Sequence, residues 1–195
     1  MIMTTDRTIL MLCGSLRRGS TNEAVLRTAE TLLPPGATAA RYAGLAGLPH
    51  FNPDDDFEPL PAAVVDLRAR IGQAGAILIC TPEYAGALPG SFKNVLDWTV
   101  GGVEISDKPT AWINISALSS PSGGALAHDS LRAVLTFTGA RIVDAACARI
   151  PVARSAVGPD GLVADGATRA QIAAALAILV DQIAPIAAHD AAPSG

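Results

Sequence analysis

The sequence predicts an α/β fold: a parallel sheet with helices on both of its faces. Two observations carry this. Short apolar runs of strand length alternate five times with stretches whose apolar residues recur at helical spacing. Strands and helices in strict alternation build parallel sheets through right-handed crossovers.

Thr8–Cys13 is the first apolar run. Asn22–Leu33 follows as a helix with Val25, Ala29, Leu32 and Leu33 on one face, stopped by Pro34-Pro35-Gly36. Thr38–Tyr42 is a weaker, alanine-rich strand. Residues 44–61 read as a long loop with Pro49, Pro53 and Pro59, and its Asp54-Asp55-Asp56 run is expected to be a solvated turn. Leu60–Gln73 is a helix with Val64, Leu67 and Ile71 facing inward. Ala76–Cys80 is apolar throughout, as in a strand buried on both faces. Ser91–Thr99 is a helix carrying Phe92, Val95 and Leu96, ended by Gly101-Gly102. Thr110–Ile115 is the fourth strand, Ala125–Thr138 a helix with Leu131, Val134 and Leu135, and Arg141–Cys147 the fifth strand. Thr168–Ile183 closes the chain as a helix that Pro185 should kink or end. Five strands in this alternation take the flavodoxin-like order 2-1-3-4-5, a three-layer sandwich. With no repeat and no linker, residues 1–195 are expected to form one domain.

Composition narrows the function. Half of the residues are apolar and 16% are charged, and the net charge of −4 argues against a nucleic-acid surface. The longest apolar stretch, residues 172–188, is interrupted by Asp181, Gln182 and Pro185, so no membrane partner is expected. The leader before Thr8 is short and polar, unlike a signal peptide, and the expectation is a cytoplasmic protein. Cys13, Cys80 and Cys147 each end an apolar run, as buried free thiols do, and no metal site is expected.

The chemistry concentrates in the loops. Gly14-Ser15-Leu16-Arg17-Arg18-Gly19-Ser20-Thr21-Asn22 joins a strand to a helix N-terminus, where unpaired N–H groups and the helix dipole favour an anion. Hydroxyls, an amide and a guanidinium add donors suited to phosphate. The same residue types also simply cap helices, and the loop holds neither of the two strong glycine fingerprints. The loop after the third strand, residues 81–90, begins Thr81-Pro82-Glu83-Tyr84, where Pro82 enforces an extended start and Tyr84 offers a flat wall. In the 2-1-3-4-5 order both loops meet at the carboxyl edge of the sheet, with the 116–124 loop beside them. A ligand with a phosphate tail and a planar heterocycle satisfies the pair.

Three motifs together, Gly14-Ser15-Leu16-Arg17-x-x-Ser20-x-Asn22, Pro82-Glu83-Tyr84 and Lys93-Asn94-Val95-Leu96-Asp97-Trp98, resemble the NAD(P)H-dependent FMN reductase family over about residues 8–147. Gly90-Ser91-Phe92 departs from that family's more usual leucine-containing approach to Lys93. The resemblance implies tightly bound FMN, NADPH or NADH as co-substrate, and a homodimer or homotetramer. It assigns Ser15, Leu16, Arg17, Ser20, Thr21 and Asn22 to the FMN phosphate region, Pro82, Glu83, Tyr84 and Gly86 to the isoalloxazine ring, and Ser116 to the ring's other side. It makes Lys93 and Asn94 braces rather than substrate contacts. The flavin then carries the chemistry, hydride passing in a ping-pong scheme from nicotinamide to a quinone, flavin, azo or similar small acceptor. His50, His128 and His189 read as structural or surface residues, and no catalytic side chain is expected. Two rivals stay open on sequence alone: a flavodoxin-type electron carrier and a non-enzymatic binding protein on the same fold.

Overall fold

The computed structural model describes residues 7–116 and 122–183. The strands are β1 (Arg7–Cys13), β2 (Ala37–Arg41), β3 (Ala76–Cys80), β4 (Pro109–Asn114), β5 (Arg141–Ile142) and β6 (Ala148–Arg149). The helices are α1 (Thr21–Glu30), α2 (Ala62–Gln73), α3 (Gly90–Asp97), α4 (Ala125–Phe137) and α5 (Gly166–Asp181). The sheet runs β2-β1-β3-β4-β5, with every pairing parallel and β6 also on β4. This is the flavodoxin-like order that five alternating strands predict.

Side-chain alternation along the central strands divides the core in two. Ile9 and Met11 of β1, with Ala76, Leu78 and Cys80 of β3, face one layer, packed beneath Val25, Leu26 and Ala29 of α1 and Ile172, Leu176 and Leu179 of α5. Leu10 and Leu12, with Ile77 and Ile79, face the other, beneath Val64, Leu67 and Ile71 of α2, Phe92, Val95 and Leu96 of α3 and Leu131 and Leu135 of α4. Burying each Val, Leu, Ile, Met or Phe among these contributes about 1.5–3 kcal/mol. Because β1 and β3 are covered on both faces, their carboxyl ends are held as rigid posts for the loops that leave them.

Three expectations are corrected. Arg141–Cys147 is not one strand. β5 pairs with β4 at Pro109 and Thr110, then Asp144–Ala146 forms a 3₁₀ turn, and β6 resumes pairing at Ile113 and Asn114. Asp-Ala-Ala is poor strand sequence, and Asp144 instead turns out to meet Arg132 at 2.6 Å.

The Asp54-Asp55-Asp56 run is not wholly solvated either. Asp54 and Asp55 are exposed, whereas Asp56 accepts a 2.6 Å bond from Arg68, both side chains being about a tenth exposed. Arg68 Nε also donates to the Trp98 carbonyl, so loop, α2 and the end of α3 are stapled together. Asn94 and Trp98 complete this anchorage: both donate to the Pro49 carbonyl, and Asn94 Oδ1 accepts from the Phe51 N–H. Asn94 is thus a brace, though of the 44–61 loop, while Lys93 pairs with Asp97 within α3. α1 ends at Glu30 and not at Leu33, yet Leu32 and Leu33 still pack on the core. Pro185 and His189 lie outside the described residues. Among the described residues no helix is long and apolar enough to cross a membrane, and no cluster of His, Cys, Asp or Glu is placed to hold a metal.

Candidate functional site

The anion-suited turn is built by a close approach. Gly14 continues β1 by donating to the Cys80 carbonyl. A Cβ on Gly14 would sit 2.1 Å from Thr81 Oγ1 and 3.1 Å from Phe92, so only glycine lets the exits of β1 and β3 lie side by side. The chain then turns through Gly19 at φ +64, a left-handed value suited to glycine. Ser20 caps α1 by accepting from the Asn22 N–H at 3.2 Å. The N–H groups of Arg18, Gly19, Ser20 and Thr21 donate to no acceptor among the described residues. Arg17 is exposed and forms no ion pair there.

Ser20 and Asn22 are buried rather than offered to solvent. The Asn22 amide spans Ser20 Oγ and the Cys80 thiol, which donates to its Oδ1 at 3.3 Å. Ser15 Oγ accepts from the Arg17 N–H. The Ser15, Ser20 and Asn22 side chains therefore mainly set the shape of the turn, and the donors left free among the described residues are backbone N–H groups, the Thr21 hydroxyl and the guanidiniums of Arg17 and Arg18, of which Arg17 lines the crevice between this turn and the 81–90 loop.

Opposite stands a two-residue hairpin. Tyr84 and Ala87 exchange backbone hydrogen bonds at 3.0 and 3.1 Å around Ala85 (φ 51) and Gly86 (φ 74), the type I′ pattern with both central residues left-handed. The turn leaves the N–H groups of Glu83, Ala85 and Gly86 without acceptors among the described residues and holds Tyr84 half exposed.

Ser15, Arg17, Ser20, Thr21, Asn22, Pro82, Glu83, Tyr84 and Ser116 line one open crevice of about 320 Å³. Two of the residues named from sequence lie elsewhere. Gly86 is at the hairpin tip, outside that lining, and Leu16 lines a neighbouring hollow of about 360 Å³ with Met11, Glu23, Arg41 and Tyr42. Ile115 and Val152 complete the crevice. The sequence has no motif to mark Val152. It arrives because the chain after β6 keeps following β4, Val152 N–H donating to the Ile115 carbonyl.

The titratable groups nearby are quiet. Burial pushes the Cys13 and Cys147 thiols up to about 11 and raises Cys80 well above its ordinary value, so all three are neutral thiols at physiological pH. Burial also lowers His128 to about 4, against the opposing pull of Asp129 and Glu83. Among the described residues, no nucleophile paired with a base lines the crevice.

A parallel sheet that presents unpaired N–H donors and a guanidinium on one side of a crevice, and an aromatic hairpin on the other, defines a flavodoxin-like nucleotide-binding protein. Comparison with known proteins narrows this. The NADPH-dependent FMN reductase family model matches residues 7–153, and the chain belongs to that family of flavin-using oxidoreductases. It is 35% identical over 169 residues to an NAD(P)H-dependent FMN reductase of Pseudomonas aeruginosa, covering 86% of this chain and 90% of that one. It is 33% identical over 140 residues to a quinone reductase of Escherichia coli, covering 70% and 73%. Among solved structures, the flavoenzyme NAD(P)H:(acceptor) oxidoreductase FerB of Paracoccus denitrificans superposes with a TM-score of 0.79 at 30% identity, covering 91% of this chain and 97% of that one. A flavodoxin variant of Pseudomonas aeruginosa at 22% identity and a TM-score of 0.56, covering 87% and 99%, shares the fold alone.

The donor set fits FMN. A phosphate monoester needs several donors and little else, and the turn before α1 supplies free N–H groups, a helix N-terminus and Arg17.

Proposed function

We propose that this chain holds FMN in the crevice between the 14–22 turn and the 81–90 loop, takes hydride from NADPH or NADH, and passes it to a quinone, flavin, azo compound or similar acceptor. One observation carries the reading: the turn before α1, with its unpaired N–H groups and Arg17, lines a single crevice together with Pro82, Glu83 and the exposed Tyr84.

Each residue has a task in this reading. Arg17 and the N–H groups of residues 18–21 hold the phosphate, while Ser15, Ser20 and Asn22 fix the turn. Pro82 keeps the approach extended, and the free N–H of Glu83 faces the polar edge of a planar ring. Tyr84 and Ser116 border the opening, and Val152 and Ile115 exclude water from the inner wall. Bound FMN supplies the hydride chemistry, which is why the site needs no acid, base or nucleophile of its own. In this reading nicotinamide and oxidant use the same open crevice in turn, which is a ping-pong scheme.

Anaerobic addition of NADPH or NADH to the FMN-loaded protein is expected to bleach the visible flavin band with no acceptor present. A quinone added afterwards restores the band, and steady-state double-reciprocal plots give parallel lines. Intersecting lines, or a band that bleaches only when the acceptor is present, contradict the scheme.

A further inference from the structure

The Glu83 side chain does something that its place in the sequence does not reveal. Both oxygens of its carboxylate are engaged within the protein. Oε1 accepts from Ser122 Oγ at 2.5 Å, and Oε2 accepts from the Ala127 N–H at 3.2 Å. Ala127 lies in the first turn of α4, whose N–H groups have no partner within the helix. The residue at the α4 N-cap is Gly124, at φ 78, with no side chain to offer. It must be glycine, since a Cβ there would stand 2.4 Å from Ser116 Oγ and 2.8 Å from Asn114 Oδ1. α4 is therefore capped from outside, by a carboxylate on the loop that follows a different strand.

The cap ties the two loops into one body. Ser122 Oγ, besides donating to Glu83, accepts from the Gly124 N–H. Asn114 holds both arms of the 116–124 loop, its Oδ1 accepting from the Ser116 N–H and its Nδ2 donating to the Gly123 carbonyl. An unbroken chain of bonds thus runs Glu83–Ser122–Gly124 on one arm and Gly123–Asn114–Ser116 on the other. Its ends, Glu83 and Ser116, both line the crevice.

We propose that the Glu83 carboxylate is a positioning residue: a latch from the 81–90 loop to the N-terminus of α4 that fixes the separation of the two loops flanking the FMN ring. This rests on the proposal that FMN occupies that crevice. The latch works through connectivity and not through charge. A glutamine at position 83 keeps it, its carbonyl accepting from Ala127 N–H while its amide donates to Ser122 Oγ, whose hydroxyl turns round. An alanine loses both bonds.

The test is FMN binding to the apoprotein, followed by quenching of flavin fluorescence, in wild type, Glu83→Gln, Glu83→Ala, Ser122→Ala and Arg17→Ala. Glu83→Ala is expected to weaken FMN roughly tenfold, the equivalent of one charge-assisted hydrogen bond. Glu83→Gln stays within about threefold of wild type, about 0.65 kcal/mol, less than one neutral hydrogen bond. Ser122→Ala, which removes one arm only, falls between. Visible circular dichroism of the bound flavin at saturation supplies the second readout: Glu83→Ala changes the band shape and Glu83→Gln restores it, which loss of stability alone does not produce. Unchanged affinity and band shape in Glu83→Ala overturn the latch, as does a Glu83→Gln protein as defective as Glu83→Ala. Should Glu83→Ala fail to fold, Ser122→Ala takes its place, and unchanged affinity and band shape there overturn the latch equally. Unchanged binding in Arg17→Ala would instead overturn the placement of FMN itself, so the two failures are distinguishable.

Discussion

Removing Asp56 should destabilise this protein out of proportion to the look of its sequence. Asp56 and Arg68 meet at 2.6 Å with side chains 11% and 10% exposed, and the Trp98 carbonyl is the other acceptor that Arg68 reaches. Asp56→Ala leaves a guanidinium in a nearly dry site without its counter-charge. Breaking a buried pair in this way costs about 3–5 kcal/mol, and slight exposure of the pair favours the lower figure. In a chain of 195 residues, each kcal/mol shifts Tm by about 2–4 °C, so a loss of roughly 3 kcal/mol lowers Tm by about 6–12 °C. The control is Asp66→Ala, which frees Arg70 from an i,i+4 pair that is nearly half exposed; solvent screens such a surface pair, and its loss should barely move Tm. Calorimetry on both variants, with the double variant Asp56→Ala/Arg68→Met, decides it. Replacing the arginine as well should recover most of the loss, because the stranded charge and not the missing bond is the main cost. An Asp56→Ala protein that melts with Asp66→Ala, or a double variant no better than the single, refutes the reasoning.

Ala85 at φ 51 sits where a type I′ turn favours asparagine or glycine. Ala85→Gly is expected to stabilise by about 1 kcal/mol, read as a higher urea midpoint with an unchanged slope. A lower midpoint would contradict the turn assignment. His128 stays neutral in the fold down to about pH 4, whereas an unfolded histidine gains its proton near 6.5. The unfolded state therefore binds more protons between those values, and stability is lost as pH falls from 6.5 towards 4. Urea midpoints at pH 6.5 and 4.5 should differ less in His128→Phe than in wild type; an equal difference in both would remove His128 as the cause. Cys13, Cys80 and Cys147 should react with a thiol reagent far more slowly in the native protein at pH 7.5 than in urea.

Much of the site is legible from residues because its logic is local. Gly14 to Asn22 and Pro82 to Tyr84 announce their backbone needs in their own chemistry, and the strand alternation alone brings the two loops to one edge. Uniformly apolar Ala76–Cys80 reads as a doubly covered strand and is one. What escapes reading is non-local. Ala148 lies six residues past Ile142, while its partner Ile113 lies three past Thr110, and only the facing strand reveals that Asp144–Ala146 must loop out. Asp56 looks like its two neighbours until Arg68, twelve residues on, arrives from α2. Val152 reaches the crevice through a backbone bond to Ile115 that no side-chain pattern records. Glu83 reads as a ring neighbour, and its carboxylate proves to be spent 44 residues away on Ala127.

The most direct test compares FMN with riboflavin, which lacks the phosphate, as ligands of the apoprotein in wild type and Arg17→Ala. If the turn before α1 grips the phosphate, wild type prefers FMN strongly, and Arg17→Ala loses about tenfold or more in FMN affinity with riboflavin unaffected. Equal affinity for the two ligands in wild type, or a variant that loses both alike, would contradict the account.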